Sequence, residues 1–215
     1  MSLPFAVKAI AIGNGWAGID SSATDQPLSF FQCCSTHDRG VIQIDVASSG
    51  YLTEAENALN ASCFVVLYQG YYPAQWANAS TGTTRGQEAV SAAQNVDYPG
   101  GATIYLDVED CGTASAQTII DWINNWSAQV VDAGYEAGIY VGCGQPLSSY
   151  QLYYDLPNVN HYWETCSLDC RVAVDVRGYQ VVQTACNTTF CGQTVDEDSY
   201  PHDALGGYTT GMEKA

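Results

Sequence analysis

Eight short runs rich in β-branched and aromatic residues recur along this chain, with helical patterns or turns between them. They are Trp16–Ser21, Val41–Ala47, Cys63–Tyr68, Thr103–Glu109, Ala137–Gly142, His161–Thr165, Gly178–Thr184 and Gln193–Asp198. The clearest helix spans Ser115–Ala133, where Ile119, Trp122, Ile123, Trp126 and Val130 share one face. Gly134 follows as its stop. Gly86–Val96 carries a second apolar face, and Thr53 with Glu56 reads as a capping box ahead of Ala58 and Leu59. Strands alternating with helices predict an α/β fold, a (β/α)8 barrel with an open doubly wound sheet as the alternative. The last connections are too short for full helices, so an irregular barrel is expected. Residues 1–215 read as one domain with its core at about 16–200, for no linker, repeat or low-complexity stretch interrupts them.

Several predicted strands end in acid. The run Ala102-Thr-Ile-Tyr-Leu-Asp107-Val-Glu109-Asp110 passes abruptly from apolar to anionic. Side chains two apart on a strand share a face, so Asp107 and Glu109 should project together with Tyr105 behind them. Asp20, Asp45 and the pair Asp196/Asp198 also close predicted strands. Barrel chemistry sits at the C-terminal ends of the strands, and solubility acids have no reason to prefer that end. Two neighbouring carboxyl groups suit glycosidic bond cleavage, one protonated as acid and the other charged.

Charge and cysteines narrow the setting. Six Lys and Arg stand against 23 Asp and Glu, a formal charge of −17, which excludes an electrostatic nucleic-acid binder and argues against an anionic membrane. No apolar run approaches the ~20 residues of a membrane span. Met1 to Ala11 lacks the charged start and apolar block of a signal peptide. Nine cysteines without a Cys-x-x-Cys pair point to disulfides in an oxidising compartment rather than zinc. Cys166/Cys170 and Cys186/Cys191 are spaced for small loops, and the odd count leaves at least one thiol unpaired within the chain. Asn-x-Ser/Thr sites at Asn60, Asn78, Asn125 and Asn187 predict a secreted glycoprotein.

The order of these pieces resembles family 25 glycoside hydrolases, the muramidases. It is even more similar to a glycoside hydrolase-like domain family of unknown function that shares their barrel. The likeness runs from Gly18-Ile-Asp20-Ser21-Ser22 through the strand Phe64–Tyr71, Gly86-Gln-Glu-Ala89 and Ile104-Tyr105-Leu-Asp107-Val-Glu109. It continues in Gly134-Tyr135-Glu-Ala-Gly138-Ile-Tyr140, Trp163, Tyr179–Gln183 and Val195-Asp196. The resemblance implies that Glu109 is the general acid. It implies that Asp107 assists on the opposite face or orients the substrate's acetamido group, and that Asp20 and Asp196 line the pocket. Tyr140 and Trp163 would be aromatic walls for a sugar ring, and Tyr68 would hydrogen-bond at the scissile sugar. The muramidases tend to carry a basic residue on the second strand; here Asp45 stands there, facing the substrate.

The expected machinery is therefore Glu109, Asp107 and Asp20 for catalysis, with Asp196, Asp45, Tyr68, Tyr140 and Trp163 holding the glycan. Ionised Asp107 should raise the pKa of Glu109 by like-charge repulsion. No metal or cofactor is expected, since ligand spacing and phosphate-type glycine loops are absent from the sequence. The expected partner is a polysaccharide, met by a monomer in the extracellular space. A non-catalytic glycan-binding barrel would need the same residues. A structural protein binding Ca²⁺ fits less well, because Asp196-Glu-Asp198 is too thin for a calcium loop. Ser21 and Ser22 lack a histidine partner, which disfavours serine chemistry. His37 and Asp38 are read as serving disulfide geometry, Trp122 and Trp126 as core, and Tyr150, Tyr153 and Tyr154 as helix packing or surface.

Overall fold

A computed structural model describes residues 3–21, 25–37 and 40–215; Ser22 and Asp38 lie outside the described residues. The described residues form ten strands, of which the second to the seventh alternate with α-helices. Strands β1 (Val7–Ala11), β2 (Trp16–Asp20), β3 (Val41–Asp45), β4 (Phe64–Gln69) and β5 (Thr103–Val108) come first. Then follow β6 (Glu136–Val141), β7 (Val159–Glu164), β8 (Val181–Phe190), β9 (Gln193–Tyr200) and β10 (Thr210–Lys214). The helices are α1 (Leu28–Thr36), α2 (Tyr51–Asn60), α3 (Thr81–Asn95), α4 (Ala116–Asp132) and α5 (Ser149–Tyr154). Strands β2 to β9 close into an eight-stranded barrel in the order β4-β3-β2-β9-β8-β7-β6-β5, with β5 returning to β4.

The helix on which the pattern was clearest forms as its residues dictate. Ser115 caps α4 by accepting from the Thr118 N–H, and Gly134 beyond it takes φ +87°. Ile119, Trp122, Ile123, Trp126 and Val130 are all buried. Gly86 on α3 lies so close to α4 that a Cβ there would meet the Trp126 carbonyl oxygen at 2.6 Å. Helix α2 departs from expectation, because it begins at Tyr51 after Gly50 with no side-chain cap. Thr53 is thus inside the helix, and the neighbouring Glu54 instead accepts from the Gln26 N–H at 3.0 Å.

Two features make the barrel irregular. Six neighbouring pairs, from β2–β3 round to β7–β8, are parallel, but β9 runs antiparallel to both β8 and β2. The reversal is made by a two-residue turn, Cys191-Gly192, with φ of +50° and +79°, the all-positive geometry that matches strand twist in tight hairpins. Strands β1 and β10 form an antiparallel ribbon at the lower end of the barrel. β10 touches β4 at Val65, while β4 and β5 pair only higher up, at Leu67–Gln69. The ribbon places Ile12 in an inner cluster with Val41, Val66, Tyr105 and Tyr200, closing that end.

Three disulfides tie the loops: Cys33–Cys191, Cys143–Cys170 and Cys166–Cys186. The short-loop pairings Cys166/Cys170 and Cys186/Cys191 do not form. Cys186 lies on extended β8 and Cys191 at the hairpin tip, so a rise of about 3.3 Å per residue carries them beyond disulfide reach. Cys34, Cys63 and Cys111 are buried free thiols.

Candidate active site

The C-terminal ends of the parallel strands surround a cavity of about 180 Å³. Asp20 enters from β2, Tyr68 from β4, Asp107 and Glu109 from β5, Tyr140 from β6 and Trp163 from β7; Gln183 and Asn187 come from β8, with Thr194, Val195 and Asp196 from β9. β5 ends at Val108, and the chain turns sharply just after Glu109, which leaves Asp107 and Glu109 both lining the cavity. Asp110 takes φ +45° and donates its N–H to the Cys143 carbonyl at 2.7 Å. Its carboxylate accepts from the Tyr71 hydroxyl at 2.5 Å. Gly142 on the next loop is packed against Glu109: a Cβ there would meet the Glu109 Cβ at 2.5 Å.

Asp196 reaches the mouth by a route the sequence did not suggest. It sits in the first half of a strand that runs downward, opposite Asp20 in the antiparallel register. Asp198, two residues further along, lies deeper and is buried. There it accepts from the Trp163 indole N–H at 3.0 Å and from Gln43 Nε2 at 3.1 Å. Gln43 also donates to the Tyr200 hydroxyl at 2.9 Å.

Gln183 joins the two sides of the mouth. Its Nε2 donates to Asp20 Oδ2 at 2.9 Å and to Asp196 Oδ2 at 3.3 Å. Its Oε1 accepts from the Tyr140 hydroxyl at 3.1 Å and from the Cys166 N–H at 3.2 Å. Register shifts in β8 after Gln183 and Ala185 let both Gln183 and Asn187 reach the pocket. Asn187, at φ +53°, donates its N–H to Asp196 Oδ1 at 2.6 Å. The Cys166–Cys186 disulfide braces this same segment.

Crowding of carboxyl groups controls their protonation. Burial first, then the Asp196 charge, push Asp20 up to about 7 against the opposing hydrogen bonds from Gln183 and Asp198. Glu109 is pushed up to about 7 by burial and by the charges of Asp110 and Asp196. Burial, with Glu109 and Asp20 as charged neighbours, holds Asp107 well above the usual carboxylate range. Burial and Asp20 do the same to Asp198. Asp107 is not among the groups that raise Glu109; the charge of Glu109 instead helps to raise Asp107. One of its oxygens, Oδ1, is buried without a hydrogen-bond partner.

Two expected contacts are corrected. Asp45 is not among the residues lining the cavity, and its Oδ1 instead accepts from the N–H groups of Ala47 and Gly70, both at 2.8 Å. It shapes the loops after β3 and β4. Trp163 is a floor rather than a wall. Only 2% of it is exposed, and Tyr68, Tyr105 and Tyr140 pack edge-on against its ring at 5.8, 6.0 and 4.7 Å. Tyr140 and Tyr68 line the cavity but are also mostly buried.

The Rv2525c-like, glycoside hydrolase-like domain family matches residues 53–199, from α2 to β9, most of the barrel just described. The chain belongs to this family. Solved structures agree on the fold. The Tat-secreted protein Rv2525c of Mycobacterium tuberculosis, solved with L-tartrate, is 15% identical with a TM-score of 0.64, over 87% of this chain and 96% of that one. An uncharacterized protein of B. stearothermophilus is likewise 15% identical with a TM-score of 0.64, over 86% and 96%. The catalytic domain of endolysin ply40, from bacteriophage P40 of Listeria monocytogenes, is 17% identical with a TM-score of 0.56, over 86% and 93%. No curated protein matches the chain significantly.

Sequence reasoning missed Gln183 as a hub and Asn187 and Thr194 at the rim, and it named Asp198 among the strand-end acids without placing it beneath the floor. Gln183 sits in a strand identified in advance, but no local pattern distinguishes a bridging amide from a solvated one. Asp198 carried a usable signal: it is two residues from Asp196 and so shares its face.

Proposed function

We propose that this member of the glycoside hydrolase-like family is an active, secreted glycosidase. It would cut a cell-wall or N-acetylhexosamine-containing polysaccharide by carboxylate acid catalysis. The observation that carries this reading is the meeting of Glu109, Asp20 and Asp107 in one cleft, each held above the ordinary carboxylate range. Glu109, at about 7, keeps a proton at mildly acidic pH and donates it to the glycosidic oxygen. Its proton is lost as pH rises through about 7, so cleavage falls off there. The developing cation is met by a carboxylate or by the substrate's own acetamido oxygen. Burial raises Asp107 above the usual carboxylate range and so disfavours the ionised form a nucleophile needs, which favours the acetamido route with Asp107 holding the C2 substituent. Asp20 and Asp196, bridged by Gln183, position the sugar from the other side.

The setting follows from the same features. Three disulfides suit an oxidising compartment. Asn60, Asn78 and Asn187 are exposed and open to glycosylation, whereas Asn125 is half-buried and donates to the Ala79 carbonyl at 3.0 Å. The protein acts outside the cell as a one-domain monomer whose partner is a polysaccharide, not nucleic acid or membrane.

The test is reducing-end release from peptidoglycan and from neutral N-acetylhexosamine polymers between acid and neutral pH, wild type beside Glu109→Gln. Cleavage should fall by about 10²- to 10⁴-fold in a folded Glu109→Gln protein. Equal silence from both on every polymer, with measurable binding, would replace the hydrolase with a glycan-binding barrel.

A further inference from the structure

The four Asn-x-Ser/Thr sequons fall in very different places. Asn125 is half-buried, its Nδ2 is spent on the Ala79 carbonyl, and Ser127, which completes that sequon, is fully buried. Asn60 lies beside the terminal ribbon, where its Oδ1 accepts from Lys214 Nζ at 3.0 Å. Asn78 turns its Oδ1 back onto the Ser80 N–H and hydroxyl. Asn187 differs from all three. It lines the cavity of the candidate active site, it is exposed, and its carboxamide makes no hydrogen bond among the described residues. Thr189, which completes its sequon, is exposed as well.

The root of a group attached at Asn187 is held in place. The residue sits at φ +53° with its N–H on Asp196 Oδ1 at 2.6 Å, and Cys186 just before it is bonded to Cys166. In the ring of strands β8 stands across from β4 and β5. A glycan on Asn187 is therefore rooted on the far side of the mouth from Tyr68, Asp107 and Glu109. N-linked glycans are bulky and hydrated, and a branched one is far larger than the cavity of about 180 Å³ on whose rim it would begin.

We propose that Asn187 carries an N-linked glycan that fences the β8 side of the mouth, leaving the cleft open to a free chain end and closed to the interior of a long polysaccharide. This deepens the glycosidase reading and rests on its secreted setting. A strand of polymer that enters a cleft by its middle must leave on both sides, whereas a chain end needs only one. With one side covered, the cleft becomes a blind pocket. The other exposed sequons do not line the cavity, so occupancy at Asn60 or Asn78 leaves the mouth as it is.

The test uses the chain secreted behind a cleavable leader from a glycosylating eukaryotic host. Glycopeptide mass spectrometry should find Asn187 occupied and Asn125 bare. Thr189→Ala deletes the sequon and leaves Asn187 itself in the cavity wall. Endoglycosidase trimming to a single sugar strips wild type without any substitution. Carbodiimide coupling of a bulky amine to Glu109 and Asp196, read by peptide mass spectrometry, should rise several-fold in both stripped forms, while coupling of a small amine should change little. Ser62→Ala, which removes the Asn60 sequon beside the terminal ribbon, should alter neither. Stripping should also raise binding to a long N-acetylhexosamine polymer several-fold, and to a short soluble oligomer by much less. An unoccupied Asn187, or equal coupling of the bulky amine with and without the glycan, overturns the inference. Equal gains for polymer and oligomer overturn its limit to chain ends. No binding of any sugar by either form, with the coupling difference intact, sinks the glycosidase reading and leaves the fence standing.

Discussion

Asp203 at the closed end of the barrel and Asp20 at the open end are both withdrawn from water, yet the protein treats them in opposite ways. The Asp203 side chain is fully buried against Arg177 at 2.6 Å. It also accepts from Gln180 and from the N–H groups of Leu205 and Gly207. Burial alone would raise its pKa, but the Arg177 hydrogen bond, the Gly207 N–H and the Arg177 charge outweigh it, and the group titrates below its usual range. Asp20 has an amide and other acids for company and is driven up to about 7. One end satisfies its charge, as a structural site should. The other leaves charge unsatisfied until protons or a ligand arrive, which is the mark of a functional site.

The comparison breaks most visibly by removing an acid from each end. Asp203→Ala strands a buried guanidinium and should cost about 3–5 kcal/mol, read as a fall in Tm of roughly 10 °C. Asp20→Asn relieves repulsion and should leave Tm equal or higher while glycan cleavage collapses. A stability loss at Asp20 as large as at Asp203 would erase the distinction between the two ends.

Stability against pH sharpens it next. Asp20, Asp107, Glu109 and Asp198 all hold protons more tightly when folded than the ordinary values of about 4 in an unfolded chain. Their contribution is complete below about pH 4 and is lost as pH rises through the raised folded values. Asp203, depressed, works the other way and loses its contribution in stronger acid. Tm should therefore be highest at about pH 4–5 and lower by several degrees at pH 8, and a Tm that climbs steadily to pH 8 would contradict the crowded mouth.

The smallest effect is kinetic. Asp196 contributes repulsion to both Asp20 and Glu109. Asp196→Asn should thus move the alkaline limb of the cleavage profile to lower pH, by less than replacing a catalytic group would change the rate. An unmoved limb would leave burial and the Asp110 charge to set the acidity of Glu109.

Much of this was legible because it is local. The 3.6-residue period of α4 and the two-residue alternation that turns Asp107 and Glu109 to one face need only neighbouring residues. The order of motifs then fits the barrel. The ribbon of β1 and β10 was not legible, since Val7 meets Lys214 across nearly the whole chain. The disulfide partners were hidden for the same reason: Cys33 and Cys191 are separated by 158 positions.

By itself, then, the sequence determined the eight barrel strand segments and helices α2 to α4, the acid-tipped fourth barrel strand and the acidic character of whatever site they form. The tertiary structure decided which acids meet and what state they hold. The downward course of β9 brings Asp196 beside Asp20, the bulged β8 delivers Gln183 between them, and loop backbone draws Asp45 away. The reason is physical: periodicity is a property of a segment, whereas desolvation and charge repulsion depend on which distant segments close around the same few ångströms of space.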